Sequence, residues 1–162
     1  MRTLDFIGLD ENKVQGVTNG LAQLLADLQV YYTNLRNFHW NVKGHAFFTM
    51  HAKFEELYND TAAKIDEVAE RILQLGAVPE SRFSAYLKVA DVKEVGEIKD
   101  GHDVYSNLLE TYKILIASER NLLEVASDAK DESTVSLMSD FLKEQEKTVW
   151  MLVAASDKHC HK

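Results

Sequence analysis

Four side chains in this 162-residue chain are of types that can share a metal ion: His39, His51, Asp66 and Glu70. Taken singly, each is ordinary. A helical histidine is commonly a hydrogen-bonded surface or core residue, and two acids four residues apart are commonly a solvated face. The case rests on their spacing. Asp66 and Glu70 stand one turn apart on one helical face and can reach a common ion. His51 precedes Asp66 by fifteen residues, roughly 22 Å along a helix that rises 1.5 Å per residue. One subunit cannot close that gap. A helix bundle that holds two metal ions within itself uses Glu-x-x-His on two of its helices, and no Glu-x-x-His occurs in this sequence. If the helix bearing His51 packs antiparallel against its own copy across a two-fold axis, the His51 end of one meets the Asp66 and Glu70 end of the other. Symmetry then makes two such sites. If these four residues bind metal together, the spacing predicts a dimer.

The elements that must carry them read as long helices. From Val14 the apolar positions Val17, Leu21, Leu24, Leu28, Tyr31, Leu35 and Phe38 alternate steps of three and four, the signature of an amphipathic helix. It closes at Asn37 to Asn41, and Gly44 marks the loop that follows. Met50, Phe54, Leu57, Thr61, Ile65, Val68, Ile72 and Leu75 carry a second helix to Gly76, a left-handed cap with Pro79 shortly after it. Residues 77 to 100 lack a sustained period and read as a crossover, in which Ser81 to Val89 form a short helix. Asp100-Gly101 opens a third helix on Val104, Leu108, Leu115, Leu122 and Val125, closing near Asp128. A fourth begins at Asp131-Glu132-Ser133-Thr134 and runs on Val135, Met138, Leu142, Val149 and Leu152. The expected fold is all-α: a four-helix bundle with one long crossover carrying a short helix between helices two and three.

Length and composition fit a single domain, 1–162, with a short N-terminal tail at 1–10 and a mobile C-terminal tail at 158–162. No apolar run near the N-terminus is long enough for a signal peptide or a membrane span. A single cysteine, Cys160, fits a reducing compartment, so a cytoplasmic location is expected. Formal net charge is -8 and the 18 Lys and Arg are spread along the chain. Non-specific nucleic-acid binding requires clustered cations, whereas this balance favours attraction of cations.

The stretch His39-Trp40-Asn41-x-x-Gly44-x-x-Phe47-x-x-x-His51-x-x-x-Glu55, followed by Asp66-x-x-Ala69-Glu70-Arg71 and Leu75-Gly76-x-x-Pro79, resembles the Dps family of ferritin-like mini-ferritins. The resemblance covers effectively the whole chain. It implies a hollow dodecamer built from two-fold dimers, with two-iron ferroxidase centres between subunits, oxidation of Fe(II) preferably by hydrogen peroxide, and ferric storage in the cavity. Carried over by residue, His39 and His51 come from one subunit and Asp66 and Glu70 from its two-fold mate. Glu55 is the fifth ligand, helping to hold a second iron. Two imidazoles with several carboxylates suit Fe(II), and Zn(II) or Co(II) would also be accepted.

Further residues are read beside that resemblance. Trp40 adjoins a ligand and is a candidate electron donor, or an interface ring. Trp150 is expected in core or interface packing. Asp131, Glu132 and Asp140 lie where the family surrounds a three-fold pore, although helix-dipole complementarity explains Asp131 and Glu132 equally well. Glu56 and Asp60 are candidates for nucleating ferric oxide, or a solvated face. Lys43 and His45 carry no signal, and His159-Cys160-His161 reads as a terminal tail. The family's name, DNA-binding protein from starved cells, invites an alternative: a DNA-binding, nucleoid-compacting protein. Members that bind DNA directly often use a Lys-rich tail, whereas residues 1–13 carry only Arg2 and Lys13, offset by Asp5, Asp10 and Glu11. A third reading is a bundle that only binds partners through its apolar stripes.

Overall fold

A computed structural model describes residues 2–97 and 101–156, without the side chains of residues 101 and 102. The expectations for Cys160 and for the tail at 158–162 lie outside the described residues. The elements are α1 (Leu4–Ile7), α2 (Glu11–Asn41), α3 (Phe47–Gln74), α4 (Phe83–Val89), α5 (Gly101–Asp128) and α6 (Glu132–Ser156). Helix α2 packs on both α3 and α5, α5 packs on α6, and the short α4 lies against α2. The four long helices are the expected bundle and α4 is the helix within its crossover. The segment read as an N-terminal tail contains α1, and its Leu4 is buried against the core.

The apolar stripes of the sequence become the core. Leu21, Leu24, Leu28, Leu35 and Phe38 of α2 are fully buried with Ile72 of α3, Leu108, Leu115 and Leu122 of α5, and Met138 of α6. Burial of aliphatic side chains, at about 25 cal/mol per Å² of apolar surface, is what holds the helices together. Of the two places expected for Trp150, the subunit core is not the one it takes: it is 67 % exposed.

A second, polar set of contacts fixes the crossover. The buried Asp27 carboxylate accepts the backbone N–H groups of Asp91 at 2.6 Å and Val92 at 2.9 Å. Asn34 donates to the Lys93 carbonyl at 2.9 Å and accepts from the Val95 N–H at 2.9 Å. Asn37 donates to the carbonyls of Val95 and Gly96. The segment after α4 thus pairs its backbone with side chains of α2, which answers the requirement that buried N–H and C=O groups be bonded.

Two glycines set the ends of α3. Gly44 has φ +98° in the turn that reverses the chain from α2 into α3. Gly76 has φ +83° and closes α3, with the Gly76 N–H on the Leu73 carbonyl at 3.0 Å and the Ala77 N–H on the Ile72 carbonyl at 3.1 Å. That paired closure is the Schellman arrangement, and it favours a residue without Cβ. Among the described residues no helix is long and apolar enough to cross a membrane.

Candidate metal centre

His39 lies in the last turn of α2 and His51 in the second turn of α3, and the turn at Gly44 brings the two rings face to face. Their centroids are 3.7 Å apart with planes 20° from parallel. Each ring donates to the other's backbone: His39 Nδ1 to the His51 carbonyl at 2.8 Å, and His51 Nδ1 to the His39 carbonyl at 2.9 Å. A carbonyl oxygen only accepts, so both Nδ1 atoms carry a proton, and in the neutral imidazole each Nε2 presents a lone pair. This is the arrangement in which the distal nitrogen of a metal-binding histidine is oriented by a backbone acceptor. The contact also serves the helix. The His39 carbonyl is among the last of α2, which lack an intrahelical partner, and the imidazole of His51 supplies one.

Two aromatic rings immobilise the pair. Phe47 stacks on the other side of His51, with centroids 5.1 Å apart and planes 23° from parallel. Tyr58 meets His39 edge-on at 5.3 Å. His39 is buried and His51 half-buried.

Glu55, Asp66 and Glu70 are exposed on α3, and among the described residues none of them is engaged by a cation. Nor, among the described residues, do three His, Cys, Asp or Glu side chains converge to hold an ion within the single chain. The structure therefore brings together His39 and His51, keeps Asp66 and Glu70 on one exposed face further along α3, and does not join the two groups.

The other acids differ in their surroundings. Glu56 is paired with Lys53 at 2.6 Å. Both oxygens of Asp60 accept from Lys64, at 2.7 and 2.8 Å, and Lys64 also reaches Glu144 at 2.5 Å. Asp131 departs from a pore-lining place. It is 1 % exposed, and its carboxylate accepts from Arg71 at 2.6 Å and from the Thr134 hydroxyl and N–H at 2.6 and 3.0 Å. It caps α6 and anchors α3 to it, so its charge is already matched. Glu132 and Asp140 are exposed. Trp40 is 62 % exposed and Arg36 lies over its ring at 4.6 Å.

Sequence reasoning passed over Phe47 as a wall of the site, and Tyr58 and Tyr32 as its aromatic neighbours. A signal was present: Tyr32 precedes His39 by seven residues and Tyr58 follows His51 by seven, two helical turns on the same face.

A bundle of four long helices with one crossover, a histidine pair at the turn between α2 and α3 and exposed carboxylates further along α3 together fit a ferritin-like protein. The ferritin-like domain family matches residues 18–158. The chain belongs to the Dps branch of that family. It is 55 % identical over 157 residues to a DNA protection during starvation protein of Porphyromonas gingivalis, covering 97 % of this chain and 99 % of the relative. A DPS protein of Vibrio cholerae O1, described as a member of a broad superfamily of ferritin-like diiron-carboxylate proteins, superposes with a TM-score of 0.91. It is 49 % identical, over 94 % of this chain and 96 % of that one. Dps from Listeria innocua soaked with zinc superposes with a TM-score of 0.83 at 30 % identity, over 85 % of this chain and 94 % of that one.

Proposed function

We propose that this protein oxidises Fe(II) at a two-iron site shared between two copies, preferably with hydrogen peroxide, and stores the ferric product inside a closed dodecamer. The observation that carries the reading is the reciprocal bonding of His39 and His51. It fixes both imidazoles as Nε2 ligands before any metal arrives, so little ordering cost remains at binding. Asp66 and Glu70 of a second copy complete the donor set, and Glu55, one turn beyond His51, extends it to a second ion. Carboxylate charge concentrates Fe(II) and stabilises the higher charge of Fe(III), so the same ligands that bind the substrate favour its oxidation.

Several features support a two-fold dimer. Roughly 22 Å of helix separates His51 from Asp66. Apolar side chains stand uncovered: Phe48 near the start of α3, and Phe83 and Leu87 in a groove on α2 that includes Arg36. A lone chain rarely leaves so much apolar surface in water. Glu132 and Asp140 are the acids left to line an entry pore for iron. Glu56 and Asp60 make weaker nucleation sites, because Lys53 and Lys64 already counter their charge. Zn(II) would occupy the same ligands, and would block oxidation because it has no accessible second oxidation state.

The location we propose is the cytoplasm. Protection of DNA, named in the Porphyromonas relative, is on this reading chemical, by removal of iron and peroxide together. Direct phosphate binding lacks its cations, since Arg2 is already held by Asp5 and Glu11. The test is anaerobic loading with Fe(II), then peroxide, with ferric absorbance followed in the wild type and in the double variant Asp66→Ala, Glu70→Ala. The variant is expected to lose at least about ten-fold in initial rate, as losing ligands does. An unchanged rate would refute the site.

A further inference from the structure

His51 is the middle member of a stack of three rings. His39 lies on one face of its imidazole, with centroids 3.7 Å apart and planes 20° from parallel. Phe47 lies on the other, at 5.1 Å and 23°. Phe47 is the first residue of α3, one helical turn before His51 and on the same face. Its N–H donates to the Gly44 carbonyl at 3.1 Å. Its ring is partly buried against the core, and Phe48 meets it edge-on at 5.3 Å. Ala46, immediately before the helix, gives this turn no side-chain cap. The segment that carries His51 therefore begins without the polar lock that a capping residue supplies, and the ring stack holds it instead.

The bond from His51 Nδ1 to the His39 carbonyl fixes one edge of the imidazole. One bond alone leaves a half-buried ring free to tilt toward solvent. To turn about Cβ–Cγ, the ring must also pass edge-on through the space its two neighbours occupy. His39 blocks that passage on one side and Phe47 on the other. A phenyl ring has neither lone pair nor N–H, so it covers the imidazole without competing for its carbonyl partner or for a metal ion.

We infer that Phe47 is a positioning residue for the metal centre: its ring clamps the open face of His51 and keeps the imidazole in the one orientation that leaves Nε2 free for the ion. On the iron-oxidising reading above, from which this starts, Phe47 carries no ligand atom and acts through His51. Its part is to order that ligand before the metal arrives. Losing it weakens metal affinity and leaves the chemistry of a filled site unchanged.

The test compares the full-chain wild type with Phe47→Leu and Phe47→Met, which keep apolar bulk without a ring, and with Phe47→Tyr, which keeps the ring. Melting temperatures show which of the two ring-free variants stays closer to the wild type, and that one is carried forward. In metal-free protein with isotope-labelled histidine, nuclear magnetic resonance should show the two ring nitrogens of His51 far apart in shift in the wild type and in Phe47→Tyr, as one fixed tautomer requires. In the ring-free variant they should draw together. Anaerobic titration with Co(II) is expected to give a Kd raised about two- to ten-fold in the ring-free variant, the bias an aromatic stack supplies, and restored in Phe47→Tyr. Fe(II) oxidation should show the same split, with KM raised and kcat unchanged. Wild-type nitrogen shifts and Co(II) affinity in the ring-free variant, or a loss that Phe47→Tyr does not restore, would overturn the role of Phe47 and leave the metal site standing. Co(II) that binds the wild type without disturbing the ring signals of His39 and His51 would instead overturn the site reading, and the role of Phe47 with it.

Discussion

Residue types and their meaning separate most clearly at His39 and His51. Their chemistry is visible in the sequence, and so is their company of acids. Their mutual hydrogen bonds are not, because these depend on the turn at Gly44 folding α3 back until each imidazole finds the other's carbonyl. Asp131 shows the reverse problem: an acid at a helix start reads as an exposed charge, and only the tertiary fold brings Arg71 to it. Glu119 was silent in the sequence altogether. It is 0 % exposed on α5, where Oε1 accepts from Gln145 Nε2 at 2.5 Å. Glu119 Oε2 and Gln145 Oε1 are buried with no donor facing them. Burial pushes the Glu119 carboxyl up to about 8, against the opposing pull of Gln145 and of the Lys64 charge. The acid is therefore neutral at pH 7, and its proton gives Oε2 something to donate. The ordinary carboxyl value lies near 4.5, so between there and about 8 the folded protein holds a proton that the unfolded chain releases. Stability from this group is complete below the ordinary value and falls as pH rises through the folded one. Glu119→Gln should remove that fall. Its melting temperature is expected to exceed that of the wild type at pH 9, by a margin on the order of 4 kcal/mol when expressed as stability, and the gap should shrink toward pH 5. Thermal unfolding at three pH values checks it.

The helices themselves were legible because their apolar residues repeat at helical spacing over seven or eight positions, long enough to outweigh local exceptions. The boundaries fell at Gly44, Gly76 and Pro79 for the same reason that backbone conformation makes these residues special. The crossover was legible only as an interruption. What fixes its path is Asp27, Asn34 and Asn37, three polar residues on α2 whose partners are backbone groups roughly sixty positions away. No periodicity marks such a pairing, and an Asp in a long amphipathic helix reads as a solvated position. Removal of the Asp27 carboxylate would leave the half-buried N–H of Asp91 and the buried N–H of Val92 without their acceptor, and each unsatisfied buried donor costs about 1–3 kcal/mol. Asp27→Ala should therefore lose about 2–4 kcal/mol, whereas Asp27→Asn, which keeps one acceptor oxygen, should lose less. Chemical denaturation measures the difference, and amide hydrogen exchange should locate the added opening at residues 91 and 92.

At the scale of the whole molecule the proposed reading makes the subunit an incomplete object. Two apolar regions lie open on it: one around Phe83, 70 % exposed, with Leu87 against α2, and another at the end of α6, where Trp150 is exposed with Met151 and Val153. The closed assembly of twelve copies proposed above would need more than one kind of contact between subunits, and two patches would answer to that need. They carry different consequences. The Phe83 patch continues along α2 to Arg36 and Trp40, so on the proposed reading a partner seated there is the copy that would bring Asp66 and Glu70 to the histidines. The α6 patch carries none of the proposed ligands, and on the proposed reading a partner there serves the cage. A charge placed in the first should therefore damage both assembly and chemistry, and a charge in the second should damage assembly only. Phe83→Glu is expected to sediment as smaller species and to oxidise Fe(II) more slowly, with the rate recovering as protein concentration rises and dimers re-form by mass action. Trp150→Glu is expected to sediment as dimers that oxidise Fe(II) at close to the wild-type initial rate but precipitate ferric oxide, because no cavity encloses it. Analytical ultracentrifugation alongside ferric absorbance and light scattering reads all three quantities. Full activity in monomeric Phe83→Glu would detach the iron site from the dimer, and the fifteen-residue separation of His51 from Asp66 would then need another explanation.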